Sequence, residues 1–210
     1  MSRNSCMARL LASAVHDMRN ILAVIRESAG LAQDLTTLTP VAQPDGNNKK
    51  ELLAALDEVR HQVLLAAQLA EGLEFMAQAD MNGEGAPCDL GRVCRLFCCM
   101  AARQARAAQI QLASGEHEGP VWAAVPPLEA LHALLEVLDI CVSVGGRVNL
   151  VFSAQRQESE GIAVCVTGGD NTALVLSALT GSALPGSRAK LLSGDAAGSF
   201  FLSWRAGEGA

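Results

Sequence analysis

His16, Asp17 and Asn20 stand close together in the run His16-Asp17-Met18-Arg19-Asn20-Ile21-Leu22. An imidazole nitrogen can accept a phosphoryl group. A carboxylate at the next position can orient the ring and stabilise positive charge on it, and an amide can hold a water beside it. The run is strongly helical, and at 3.6 residues per turn His16 and Asn20 fall one above the other on one face. These three are the candidate catalytic residues. The other histidines carry no such pattern. His61 follows Glu58-Val59-Arg60, and neither His117 nor His132 has an acid and an amide placed beside it. All three are expected to be ordinary polar surface residues.

Two long helices must position the triad. Residues 4–35 read as one helix in which Leu11, Val15, Met18, Leu22, Ile25, Ala29 and Ala32 repeat at alternating spacings of four and three, a heptad seam. His16 and Asn20 lie off that seam and are expected to be exposed. Thr, Pro, Asp, Gly and Asn dominate residues 36–48, which read as a loop. A second helix spans about Lys49 to Ala79, with the same spacing from Leu52 through Leu56, Val59, Val63, Ala66, Ala70 and Leu73 to Ala77. Two such helices form an antiparallel hairpin that cannot bury both flanks of its apolar stripe alone. A homodimer, two hairpins making a four-helix bundle, is the expected solution.

The chain divides into a hairpin (1–79), a linker (80–88) and a second domain (89–210). Asp89 can N-cap a helix running to about Ala108. Ile110–Ala113 and Val121–Val125 read as short strands. Pro126 and Pro127 open a helix from Leu128 to about Val142. Arg147–Gln155 and Ile162–Thr167 read as a β-hairpin. Leu174–Leu179 and Ser187–Leu192 read as short helices, and Ser199–Arg205 as a last strand. The predicted class is α+β, with the second domain an α/β sandwich of two or three helices on one sheet.

Composition excludes several functions. The 210 residues carry a net charge of −6, which argues against nucleic-acid binding. No apolar run approaches the ~20 residues that a membrane span needs, and no signal peptide precedes His16. The expected location is the cytoplasm. Seven cysteines include no C-x-x-C pair. Cys94, Cys98, Cys99, Cys141 and Cys165 sit in apolar runs, so buried reduced thiols are expected and no metal site. No G-x-S-x-G occurs, which disfavours a serine hydrolase.

The residues around His16 resemble the H-box of sensor histidine kinases and histidine phosphotransferases, where a histidine is followed by an acid, an Arg and a Thr or Asn. The layout of hairpin, linker and α/β domain resembles a histidine-kinase core. No sensor module is expected before His16. A working ATP site of that family has an Asn on the helix here read as Leu128–Val142. This chain has Leu134-Leu135-Glu136-Val137-Leu138-Asp139-Ile140-Cys141, where only Glu136 and Asp139 are cation-ligand types. The family's Asp-x-Gly-x-Gly is replaced by Thr167-Gly168-Gly169-Asp170-Asn171, with Thr167 in place of the Asp that reads adenine. The glycine-rich lid is missing. The resemblance therefore implies a degenerate ATPase domain that does not bind nucleotide.

It also implies a histidine phosphotransferase that relays phosphoryl groups between response-regulator aspartates and His16. The neutral imidazole is the acceptor. Magnesium and an activating Lys would come from the regulator's receiver domain, so no cofactor of the chain's own is expected. Asn20 would support regulator phosphatase activity by positioning water. The alternatives are a non-catalytic dimeric docking scaffold and a divergent histidine kinase.

Overall fold

The computed structural model describes residues 3–38, 46–81, 87–116, 119–156, 160–168, 170–180, 184, 189–193 and 198–204. Helix α1 (Arg3–Leu38) and helix α2 (Gly46–Met81) pack along each other and against the rest of the chain. The residues expected to form a loop at 36–48 are thus partly helical. The first helix runs through residue 38 and the second starts at Gly46, while 39–45 lie outside the described residues. The two helices lie against each other, and Ile21 and Leu65 line one cleft from neighbouring helices. Gly72 lets α2 approach closely: a Cβ there would sit 3.1 Å from Sδ of Met100.

The linker expected at 80–88 is narrower than its composition suggested. α2 extends to Met81, and strand β1 (Cys88–Asp89) already pairs antiparallel with strand β3 (Trp122–Ala123). Between them lie helix α3 (Leu90–Ala107) and strand β2 (Ile110–Ser114). Asp89 caps α3 as expected. Its carboxylate accepts from the N–H of Gly91 at 3.0 Å, satisfying a donor that the helix leaves free, and from the N–H of Val121 at 3.2 Å. One side chain thereby starts the helix and ties down the segment leading into β3.

Helix α4 (Pro127–Val144) begins on proline, whose fixed φ and missing N–H suit a first turn. It is followed by strands β4 (Val148–Arg156) and β5 (Glu160–Thr167), helix α5 (Thr172–Thr180), and strands β6 (Lys190–Ser193) and β7 (Ser199–Ser203). The main sheet has the order β2-β4-β5-β7-β6. β2 and β4 are parallel, and the other pairs are antiparallel. The predicted helix at Ser187–Leu192 is corrected here. Residues 190–193 form an edge strand, with Leu191 opposite Leu202 and Leu192 opposite Phe201. Pairing with a strand further along the chain outweighs the local preference of two adjacent leucines for helix.

Alternation puts one face of the sheet inside. Leu150 faces Val166, Phe152 faces Val164, and Val164 faces Phe200, all buried. Phe97 of α3 meets Phe152 edge to face at 5.5 Å. Each such burial stabilises by ~1.5–3 kcal/mol. α4 is covered on nearly every side, from Ala130 through Leu138. His132, expected at the surface, is 0% exposed for that reason: its helix has almost no wet face. Nε2 of His132 lies 3.9 Å from Oε1 of Glu136, one turn on. The described chain is α+β, as expected. No helix among the described residues is long and apolar enough to cross a membrane.

Candidate functional site

α1 carries the candidate triad where it passes α3. His16 and Asn20 are exposed and Asp17 is half-buried. The three do not form a closed hydrogen-bonded unit. Asp17 turns its carboxylate toward Nε of Arg103 on α3 at 3.8 Å, and among the described residues no hydrogen bond joins it to His16. Asp17 and Asn20 line a cleft of about 650 Å³ between the hairpin and α3, and His16 stands just outside that lining.

The far wall of the cleft is basic. α3 contributes Arg92, Arg95 and Arg106, and Arg103 reaches Asp17 beside it. The spacing 92, 95, 99, 103, 106 keeps all four arginines and Cys99 on one stripe of the helix. α3 contains no acidic residue, in a chain whose net charge is −6. Arg92 pairs with Glu71 of α2 at 3.2 Å and lies 5.0 Å over the Phe75 ring. That pair is well exposed and contributes little to stability. Cys99 feels the opposite sign: burial, then the carboxylates of Asp17 and Glu71, push its thiol above the ordinary range. This basic stripe was visible in the sequence as four arginines on one helix face without an acid, a signal that the reading around His16 passed over.

A second contact fixes the angle between hairpin and α/β domain. Arg9 of α1 makes a bidentate pair with Asp139 of α4, at 2.6 and 2.7 Å. Nε2 of Gln104 adds a weaker bond to the same carboxylate at 3.3 Å. Planar fork-to-fork geometry is the strongest form of ion pair. Asp139, one of the two carboxylates singled out in the run Leu134–Cys141, is thus engaged by a guanidinium. The other, Glu136, is buried beside His132.

The segment after β5 has also taken on a structural task. Asn171 donates from Nδ2 to the carbonyl of Gly145 at 3.0 Å, clamping the turn between α4 and β4. Gly146, at φ +95°, packs under that amide, where a Cβ would collide with Nδ2 of Asn171. Thr167 is exposed at the end of β5. Gly169 lies outside the described residues. Among the described residues no three His, Cys, Asp or Glu side chains converge as metal ligands would.

Of the cysteines expected to be buried thiols, Cys94 and Cys141 are buried, while Cys98, Cys99 and Cys165 are half-buried. Burial pushes Cys88, Cys98 and Cys141 up to about 12, and Cys94 further still. No disulfide joins them.

No family model matches the chain, and no curated protein matches it. Solved structures are similar in the course of the backbone. The Acinetobacter baumannii histidine kinase AdeS is 14% identical over 89% of this chain and 94% of that one, with a TM-score of 0.37. A bacterial phosphotransferase solved at 1.7 Å is 13% identical over 97% of this chain and 98% of that one, with a TM-score of 0.41. At those levels the likeness concerns fold alone and says nothing of chemistry.

Proposed function

We propose that the chain is a histidine phosphotransferase that accepts phosphoryl groups from response-regulator aspartates on His16 and returns them to another regulator. One observation carries this reading. His16 is exposed on α1, next to a carboxylate and one turn from an amide that both line a cleft with a basic wall.

In the forward step an imidazole nitrogen attacks phosphorus, the N–P bond forms, and the acyl-phosphate P–O bond breaks to release the regulator's aspartate. The ring gains positive charge, and the carboxylate of Asp17 is the nearest group in sequence to offset it. Most of the work in phosphoryl transfer is positioning and charge stabilisation. The receiver domain supplies magnesium, and Asn20 holds the water that hydrolyses a regulator's phospho-aspartate. Several observations weigh against ATP as phosphoryl source. Thr167 stands where an adenine-reading acid would be, Asp139 is held by Arg9, and Asn171 clamps a turn.

The working form is a homodimer. Leu11, Val15 and Leu22 on α1, and Leu56 and Val63 on α2, all belong to the heptad seams yet remain exposed in one protomer, Leu22 at 57% and Val63 at 51%. Their neighbours Leu10, Ala14 and Ile21 are buried within the protomer. A second hairpin laid on the uncovered stripe buries these side chains at ~1.5–3 kcal/mol each. Leu22→Glu should turn a sedimenting dimer into a monomer, and a wild type that sediments as a monomer at micromolar concentration overturns the bundle.

The direct test is incubation with phosphorylated response regulators of the same genome. Acid-labile label should appear on the wild type and be absent from His16→Gln. Absence of transfer from every regulator would leave a docking scaffold as the better account.

A further inference from the structure

A second recess, of about 410 Å³, opens where the end of α3 meets the starts of β2 and β4. It is lined by Arg106, Gln109, Gln111, Arg147 and Asn149 over a floor of Ile110 and Val148. The parallel pairing of β2 with β4 creates it. Ile110 lies beside Val148 and Gln111 beside Asn149, so the starts of both strands share one rim. That places the last turn of α3, which carries Arg106, next to the α4–β4 turn, which ends in Arg147. Two arginines and three amide residues line the recess, and no carboxylate among the described residues does. Among the described residues neither Arg106 nor Arg147 has an ion pair. Two unpaired arginines lining one recess repel each other, and no carboxylate of the described lining offsets them.

Gln109 is a separate sign that the rim is built for its side chains. It has φ +61°, the left-handed conformation that follows a helix end and that glycine adopts without strain. No other described non-glycine residue has a positive φ. The chain keeps an amide where glycine would be more stable, and that amide faces the recess.

We propose that this recess binds the dianion of a small phosphate monoester, held between the guanidinium groups of Arg106 and Arg147, with Gln109, Gln111 and Asn149 donating to the remaining oxygens. Two guanidinium groups match the charge of a phosphomonoester, and their flat forks suit its oxygens. The recess holds more than a bare phosphate, so there is room for a small organic group. Arg106 also lines the cleft beside Asp17, so the two cavities share a wall. The proposal does not depend on His16.

The test is a calorimetric titration of the full chain with phenyl phosphate and with inorganic phosphate, at constant ionic strength set by sodium chloride. Saturable binding of both in the millimolar range or tighter is expected, with phenyl phosphate the tighter. Arg106→Gln and Arg147→Gln should each weaken binding roughly tenfold or more. Both side chains are exposed, so folding should survive. Asn149→Asp, which adds a negative charge to the rim, should also weaken binding while leaving the melting temperature nearly unchanged. Gln109→Gly should raise the melting temperature and weaken binding together, a combination that a merely structural glutamine does not give. Absence of saturable binding, or binding that survives Arg147→Gln and Asn149→Asp undiminished, overturns the proposal.

Discussion

The outer face of α1 and the interior of α4 carry the same pair of residue types, a histidine and a carboxylate within one helical turn, and surround them in opposite ways. His16 is open to solvent, and Asp17 turns to an arginine of another element. His132 is fully buried, and neither of its ring nitrogens has a hydrogen-bond partner among the described residues. No second protein can reach it. What makes one histidine a candidate for chemistry and the other a core residue is the helix beneath. α1 packs on one side and leaves the other bare, whereas α4 is enclosed by α3, α5 and the hairpin.

The sharpest break in this comparison is functional. His16→Gln should remove all phosphoryl labelling while changing stability by less than about 0.5 kcal/mol, the range for exposed substitutions. Urea unfolding alongside the transfer assay checks both halves. A stability loss of several kcal/mol would make His16 a structural residue and collapse the distinction.

Alkaline pH should next act on the α/β domain, because the thiols of Cys88, Cys94, Cys98 and Cys141, which burial shifts upward, all lie there. An unfolded cysteine loses its proton near 9, and burial holds Cys88, Cys98 and Cys141 protonated to about 12. The native state therefore binds more protons between those values, and stability falls as pH rises from about 9 to about 12. Circular dichroism at fixed urea should show the midpoint dropping across that window, and a flat profile would mean that the thiols are more open to water.

Within α4, replacing the buried pair by His132→Leu with Glu136→Leu should stabilise the protein by about 1–4 kcal/mol, since burying two ionisable groups costs more than their attraction returns. A destabilised double variant would show that the pair holds α4 in register. The smallest effect lies at the junction of the two regions. Arg9→Ala removes the fork from Asp139 and should cost about 1.5–3 kcal/mol, the range for a hydrogen bond to a charged group. Thermal unfolding would detect it, and a change under about 0.5 kcal/mol would mean that solvent screens the pair.

Much of this architecture was legible in the sequence because it is local. Heptad spacing gave both long helices, Asp89 marked the start of α3, Pro127 the start of α4, and alternation the β4–β5 hairpin. What was hidden depends on partners far along the chain. Lys190–Ser193 has no alternation of its own and becomes a strand by pairing with β7. β1 has two residues and exists because Asp89 and Cys88 meet β3. The burial of His132 could not be read from a pattern, since a helix covered all round has no period to reveal. At the site, the types and spacing of His16, Asp17 and Asn20 were plain, as was the exposure of His16 and Asn20. The pairing of Asp17 with Arg103 was not, because it joins two helices from different halves of the molecule.

The fork between Arg9 and Asp139 joins residues 130 positions apart. Synthesis at roughly 5–20 residues per second delivers the second partner about 7–26 s after the first. During that interval the nascent hairpin exposes both the stripe proposed to meet a second copy and the flank that α3 and α4 later cover. Two nascent hairpins on neighbouring ribosomes of one message could meet through either surface. The arrival of α3 and α4 on the inner flank leaves the proposed stripe as the surface for pairing. Slowing translation between the codons for α2 and α4 should therefore lower the yield of correctly assembled protein without any change in sequence.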